Sequence, residues 1–240
     1  MFLLSRRKLI AGASASAAAG LAGCVNTNPN PAVNAAVADA VGANYDVIYA
    51  ERKDGAFIIP AVQFRQIDSA FLRQNVAYAT EEAPGTIVID PANHFLYHVE
   101  GGGRATRYGV GVGREGFGWA GEARIKSKQE WPDWYPPKEM LDRRPDLMQA
   151  MVQLRSGIGM HGGPANPLGA RAMYLWQGNK DTYFRIHGTN EPWTVGQSQS
   201  SGCIRMINQD AVDLYQKTPI GTRVVVLTYP GALPAKVAHG

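Results

Sequence analysis

Thr86-Ile87-Val88-Ile89-Asp90, Pro91-Ala92-Asn93, His94-Phe95-Leu96-Tyr97-His98-Val99 is the stretch on which the fold reading turns. A β-branched run, a turn built from Pro and Asn, and a second run rich in apolar residues predict an antiparallel hairpin. Gly101-Gly102-Gly103 supplies the next turn, and Thr106 to Val112 reads as a third strand thinned by Gly109 and Gly111. Glycines inside a strand mark bulges or places where another backbone comes close. Gly109-Val110-Gly111-Val112-Gly113 lacks the full dinucleotide-binding glycine pattern, and no βαβ unit surrounds it.

Working outward from the hairpin, the C-terminal side continues in strands. Arg171 to Trp176 and Thr182 to His187 flank the turn Gln177 to Asp181, and Gly221 opens a last strand, Thr222 to Thr228. Short helices interrupt them. Lys138 to Arg143 and Pro145 to Gln153 read as helical, proline being tolerated in a first turn. Asn208 is expected to cap a helix over Gln209 to Lys217, with Asp210 near its start and Val212, Leu214 and Tyr215 giving it an apolar side. The rigid segment Trp131-Pro132-Asp133-Trp134-Tyr135-Pro136-Pro137 reads equally as a cleft wall or a packed cap. On the N-terminal side, Phe64 to Asn75 is expected to form a short helix with Phe64, Ile67, Phe71 and Leu72 on one side. The fold class is therefore mainly β with short helices. Residues 84–228 form the principal domain, 45–83 an extension packed on it, and 229–240 a loose tail.

The 240 residues suffice for one such domain, and 45% hydrophobic content is enough to bury a core. The first 23 residues read as an export signal: Ser5-Arg6-Arg7-Lys8 precedes an Ala/Gly/Ser-rich stretch, and Leu21-Ala22-Gly23-Cys24 follows. The paired arginines are similar to a twin-arginine signal, with an ordinary Sec signal as the alternative. The Leu-Ala-Gly-Cys block resembles a bacterial lipobox, in which Cys24 becomes the lipidated first residue. Residues 24–44 would then be the lipidated cysteine and its tether. Val25 follows in place of an acidic residue, which favours outer-membrane anchoring facing the periplasm. Without Arg6, Arg7 and Lys8 the formal charge falls from +4 to about +1, which gives no reason to expect a nucleic-acid partner.

With Cys24 lipidated, Cys203 is a lone thiol in an oxidising compartment, a liability unless buried or used. Its surroundings are Ile186-His187-Gly188-Thr189 and Ser200-Ser201-Gly202-Cys203-Ile204-Arg205-Met206. A thiol attacks a carbonyl as thiolate, and a nearby imidazole is the usual activator. About fifteen residues lie between His187 and Cys203, ample for the chain to return. The small residues before Cys203 permit a sharp turn that exposes sulfur and frees N–H groups for an oxyanion. Taken alone, a Cys and a His in one chain are ordinarily unrelated.

The flanks change that. His187-Gly188, a spacer in the middle teens, and Ser200-Ser201-Gly202-Cys203-Ile204-Arg205 together resemble the L,D-transpeptidase catalytic domain of the YkuD or ErfK type. Asn166 to Ala172 and the Gly221-Thr222 strand resemble the same family, over roughly residues 84 to 228. The resemblance implies a β-sandwich or mixed-sheet catalytic domain and a transferase that acts on peptidoglycan stem peptides. Cys203 would be the nucleophile that forms a thioester, His187 its base, and the Gly188 carbonyl the group that orients the ring. The N–H groups of Gly202 and Cys203 would receive the oxyanion. Arg205, Ser200 and Ser201 would contact substrate or fix the loop, with His161, Trp193 and Tyr174 as weaker cleft candidates. The acyl acceptor would be an amine of a second stem, giving a cross-link, or an amine of a protein. No metal or organic cofactor is implied. Many family members carry histidine where Ser201 stands, so His187 is the only histidine of the matched motif here.

Three other readings stay open beside it. Water in place of the amine gives an L,D-carboxypeptidase. A non-catalytic peptidoglycan-binding lipoprotein would not need the Cys–His pair. A thiol redox protein would want a Cys-X-X-Cys pair, which the chain lacks. His94 and His98 read as surface or packed positions on the hairpin, and His239 lies in the tail.

Overall fold

In the computed structural model, which describes residues 44–113, 120–136, 138–200 and 202–228, the chain enters through one helical turn, α1 (Tyr45–Ile48). The leader, Cys24, the tether up to residue 43, Ser201 and the tail from residue 229 lie outside the described residues. A small hairpin follows, β1 (Arg52–Asp54) and β2 (Phe57–Ile59), then two 3-10 turns, Phe64–Gln66 and Ser69–Phe71, and β3 (Gln74–Ala77). The helix expected over Phe64 to Asn75 does not form. Ile67 turns extended, and Asp68 accepts a hydrogen bond from the Ala70 N–H at 2.9 Å. That local side-chain bond competes with helical backbone bonding. Phe64, Ile67, Phe71 and Leu72 still bury together, against Tyr49, Val195 and Ile207.

The hairpin is present as β4 (Ile87–Asp90) and β5 (Phe95–Val99), in antiparallel register from Ile87 opposite His98 to Asp90 opposite Phe95. β6 (Arg104–Gly109) stops short of the expected Val112, and the chain re-enters as β7 (Val112–Gly113). Glycine is required at the end of β6 because the Phe71 backbone packs against it: a Cβ on Gly109 would lie 2.3 Å from the Phe71 carbonyl oxygen. After β8 (Gly121–Glu130) come α2 (Lys138–Arg143), a 3-10 stretch Pro145–Ala150, and the hairpin β9 (Val152–Leu154) and β10 (Gly157–Gly159). The helix expected over Pro145 to Gln153 is thus a 3-10 stretch that yields to strand at Val152. The remaining elements are β11 (Arg171–Gln177), β12 (Lys180–His187), a 3-10 turn Pro192–Thr194, β13 (Ser198–Ser200), β14 (Ile204–Arg205), α3 (Asn208–Lys217) and β15 (Arg223–Val226).

Among the described residues, nine strands form one sheet in the order β14-β12-β11-β8-β15-β4-β5-β6-β3. Most neighbours are antiparallel, but β15 runs parallel to β4 and β14 parallel to β12, so the sheet is mixed. β3 is hydrogen-bonded to β6, so the N-terminal extension supplies an edge strand of this sheet. Period-2 alternation sorts the two faces. Ile87, Ile89, Met173, Leu175, Ile186 and Ile204 point to the main core, which Ala211 and Leu214 of α3 cover. Val88, Tyr97, Val99 and Ala105 belong to a second cluster.

α3 also binds the sheet to its surroundings through polar residues. Ile207 occupies the position before the helix and makes no side-chain cap, so Asn208 is the first helical residue and not the cap. Its amide finds buried partners elsewhere, accepting from the Ala170 N–H and donating to the Thr189 carbonyl, both at 2.9 Å. Gln209 donates to the carbonyls of Ala50 and Pro60. Asp210, fully buried, accepts from the Tyr49 hydroxyl and faces Arg73. Three successive side chains thereby hold the site loops and the N-terminal extension.

A second anchor of the extension is Asp54, which receives two bonds from buried Arg171, at 2.6 and 2.8 Å, and one from the Trp131 indole at 2.8 Å. Asp54→Ala leaves a buried guanidinium without its bidentate partner, with the exposed Glu130 carboxylate, 3.9 Å away, as its remaining counter-charge. The expected cost is about 3–5 kcal/mol, read as a lower denaturation midpoint. An unchanged midpoint would show that solvent already compensates Arg171.

Candidate functional site

The site forms where β12 ends and β14 begins. Parallel pairing sets Ile186 opposite Ile204 and His187 opposite Arg205. One step back along both strands brings Arg185 level with Cys203. The Arg185 backbone N–H faces the Cys203 sulfur closely enough to lower the pKa of the thiol. Because alternate residues share a face, Arg185, His187, Cys203 and Arg205 project together, while Ile186 and Ile204 enter the core. β11 extends the row, with Tyr174 opposite Arg185 and Ala172 opposite His187. Cys203 is partly exposed and His187 is buried. A return loop thus brings the two sequence-distant groups onto one face, as their spacing allows.

The loop that presents Cys203 depends on Gly202, whose φ of +118° lies where L side chains are strained. A Cβ there would also press on the Phe184 ring at 3.0 Å. Ser200 shapes the same turn from inside. Its buried hydroxyl donates to the Cys203 carbonyl at 2.6 Å and accepts a long bond, 3.3 Å, from the Gly202 N–H. Ser200 therefore acts on the loop, and its hydroxyl is not offered to a ligand. Ser201 lies outside the described residues. The Arg205 guanidinium pairs with Glu191 at 3.3 Å, and its backbone exchanges two hydrogen bonds with Gly111, fixing the strand after the cysteine.

The imidazole has a defined tautomer. His187 Nδ1 lies 2.5 Å from the Gly188 carbonyl oxygen. A carbonyl only accepts, so Nδ1 carries the proton, and in the neutral ring Nε2 keeps its lone pair. Burial holds the His187 pKa down at about 4, helped by the Arg205 and Arg185 charges and opposed by the Gly188 bond. Burial pushes the Cys203 thiol up, while the Arg185 N–H and the two arginine charges pull it back. At neutral pH the pair is a neutral imidazole and a thiol, not an ion pair.

The outlying candidates fall in different places. Tyr174 is half-buried under Arg185, its ring 4.5 Å from the guanidinium carbon, and its hydroxyl donates to Gln129 at 2.8 Å. Its pKa is raised mainly by burial, with smaller influences that include Cys203 and Asp133. Asp133 therefore lies near enough to this face for its charge to act on Tyr174. His161 is exposed and sits 3.6 Å from the same Asp133. Trp193, 64% exposed, lines a separate groove of about 320 Å³ with Pro60, Gln63, Pro192 and Asn190, and neither Cys203 nor His187 borders that groove. His94 bonds Ser198 and His98 is buried. Sequence reasoning missed Arg185. The only signal was its place two residues before His187 on the same strand face.

Residues 84–226 match the family model described as the L,D-transpeptidase catalytic domain. Among curated proteins, the chain is 38% identical over 108 residues to a putative L,D-transpeptidase in the ATP synthase subunits region (ORF 5) of Fuscovulum blasticum, covering 45% of this chain and 49% of that protein. It is 30% identical over 152 residues to the probable L,D-transpeptidase ErfK/SrfK of Escherichia coli strain K12, covering 60% and 44%. The chain spans about half the length of these curated relatives. Among solved structures, a Brucella melitensis protein described as a probable carnitine operon oxidoreductase caia is 53% identical, covering 69% of this chain and 99% of that one, with a TM-score of 0.45. An L,D-transpeptidase from Mycobacterium smegmatis is 14% identical, covering 65% and 67%, with a TM-score of 0.43.

Proposed function

Since the chain belongs to the L,D-transpeptidase catalytic domain family, we propose that it is a cysteine acyltransferase of peptidoglycan stem peptides, with Cys203 as nucleophile and His187 as base. The observation that carries this is the Nδ1–Gly188 bond, which leaves the Nε2 lone pair on the strand face shared with the thiol. As sulfur attacks the carbonyl joining a stem's third residue, a diamino acid, to its terminal D-alanine, the thiol proton passes to Nε2. The Cys203 N–H receives the oxyanion, and the Gly202 N–H joins it by leaving its long bond to Ser200. The imidazolium then protonates the departing D-alanine amine, and a thioester remains. An acceptor amine loses its proton to His187 and displaces the sulfur, restoring the thiol. Because both groups start neutral, proton transfer accompanies attack.

The same reading places the domain in the periplasm, tethered by lipid at Cys24. The Leu21-Ala22-Gly23-Cys24 block supports it. The acceptor is an amine of a neighbouring stem or of a protein.

The test incubates the purified protein with a disaccharide-tetrapeptide and follows products by mass spectrometry, beside Cys203→Ala. Dimers formed with loss of D-alanine, absent from the variant, are the expected result. Tripeptide alone would transfer the assignment to hydrolysis. Absence of both a thioester on Cys203 and any product would overturn the enzymatic reading.

A further inference from the structure

The geometry points to Arg185 as the residue that binds a free carboxylate of the acyl donor beside Cys203, a subsite framed by Asp181 and Tyr174. The inference rests on the acyltransfer reading above and adds to it the group that is recognised. A guanidinium has five N–H donors in a fixed fork. Three of the five are engaged in Arg185. Nη1 donates to Asp181 Oδ1 at 2.7 Å and to the Phe184 carbonyl at 3.0 Å, and Nη2 donates to Asp181 Oδ2 at 2.8 Å. Asp181 therefore takes the end of the fork. Nε–H and the second Nη2 hydrogen make no hydrogen bond among the described residues. These two form the side edge, the geometry that accepts a carboxylate through parallel bonds.

The edge is also held in place. The Tyr174 ring stacks against the guanidinium, at 4.5 Å from its carbon, and Asp181 fixes its rotation. The side chain is 16% exposed, enough for a ligand to reach it yet little enough to limit screening. Cross-strand register sets Tyr174, Arg185 and Cys203 side by side on β11, β12 and the entry to β14. A peptide whose carbonyl meets the sulfur consequently runs over Arg185. Arg205 is less suited to this task, because it faces Glu191 on the His187 side of the row.

Two carboxylates of the donor lie next to the scissile bond and have this chemistry: that of the terminal D-alanine, and the side-chain carboxylate of the diamino acid. The experiment compares the wild-type protein with Arg185→Gln and Arg185→Lys on three donors: the free tetrapeptide stem, its C-terminal carboxamide, and its diamino-acid side-chain carboxamide. Steady-state KM is read together with calorimetric binding of each donor. Arg185→Gln is expected to weaken the free stem roughly tenfold to a hundredfold in KM and Kd, with kcat changed far less. Arg185→Lys, which keeps the charge without the fork, should recover only part. For one of the two carboxamides the wild type and Arg185→Gln should become equal, and that donor identifies the carboxylate. If Arg185→Gln weakens all three donors by the same factor, or none, the subsite is wrong while acyl transfer stands. Carboxylate-dependent binding without turnover would uphold the subsite and defeat the enzymatic reading. No binding of any donor would defeat both.

Discussion

His187→Ala lowers donor turnover by about 10²–10⁴-fold, the span a positioned general base supplies, while Cys203 remains open to alkylation. The wild-type pH profile carries the sharper expectation. The base form of His187 is the neutral ring, and its folded pKa is held at about 4, below the ordinary 6.5. Hence kcat/KM stays level as pH falls through 6.5 and declines only as pH falls through about 4. On the alkaline side the thiol is raised by burial, so thiolate accumulates only above its ordinary range. Folding linkage has its own sign. Between 6.5 and 4 the unfolded chain binds a proton that the buried ring refuses, so stability decreases as pH decreases across that window. The profile is therefore measured beside a circular-dichroism control at each pH. An acid limb with its midpoint near 6.5 in a folded protein would mean that Nε2 is solvated and that the buried, Gly188-locked imidazole is not the operating base.

The sequence carried different parts of this molecule with unequal clarity. The hairpin of Ile87 to Val99 was legible because a β-branched run, a turn and a second apolar run are local signals, and the core residues Ile87, Ile89 and Leu96 lie within them. The family was legible because His187-Gly188 and Gly202-Cys203 carry both residue types and spacing. What escaped depends on partners far away in sequence. Asn208 has the composition of a helix cap, yet its amide is drawn to Ala170 and Thr189, because two buried backbone groups there have it as their partner. Phe64 to Asn75 has helical spacing of its apolar residues. Burial against Tyr49, Val195 and Ile207 satisfies those residues just as well from 3-10 turns, and Gln74 onward is claimed by β6. Asp210 looked like a residue complementing a helix dipole. It is instead fully enclosed, with its pKa pushed up to about 7 by burial, against Tyr49 and Arg73. Arg185 was invisible for the same reason: only the pairing of three strands reveals that it neighbours Tyr174 and Cys203.

Gly188→Ala is expected to damage both stability and turnover, and Asn208→Ala to relieve part of that damage. The Asn208 Oδ1 sits directly over Gly188, where a Cβ would approach it to 2.1 Å and Cγ to 3.2 Å. Both atoms belong to a side chain fixed by two buried hydrogen bonds, so it yields only by breaking them. Overpacking of this kind costs about 1–3 kcal/mol. The displaced group is the one whose carbonyl holds Nδ1 of His187, and a shift near 1 Å at a base costs on the order of a hundredfold in rate. Asn208→Ala alone strips the Ala170 N–H and Thr189 carbonyl of their partner, at about 1–3 kcal/mol for each group left unpaired. In the double variant the oxygen at 2.1 Å is gone, and the close neighbour that remains is the Ala170 backbone nitrogen at 3.1 Å, so the relief is partial. The two losses should therefore fall short of additivity by about 0.5–3 kcal/mol, the coupling expected of residues in contact. Denaturation midpoints of the four proteins measure this coupling. Strict additivity would place the Asn208 amide elsewhere and remove the link between the α3 N-terminus and the imidazole. Coupling in stability together with a partial return of turnover in the double variant would make Asn208 a positioning residue, acting on the chemistry through the Gly188 carbonyl.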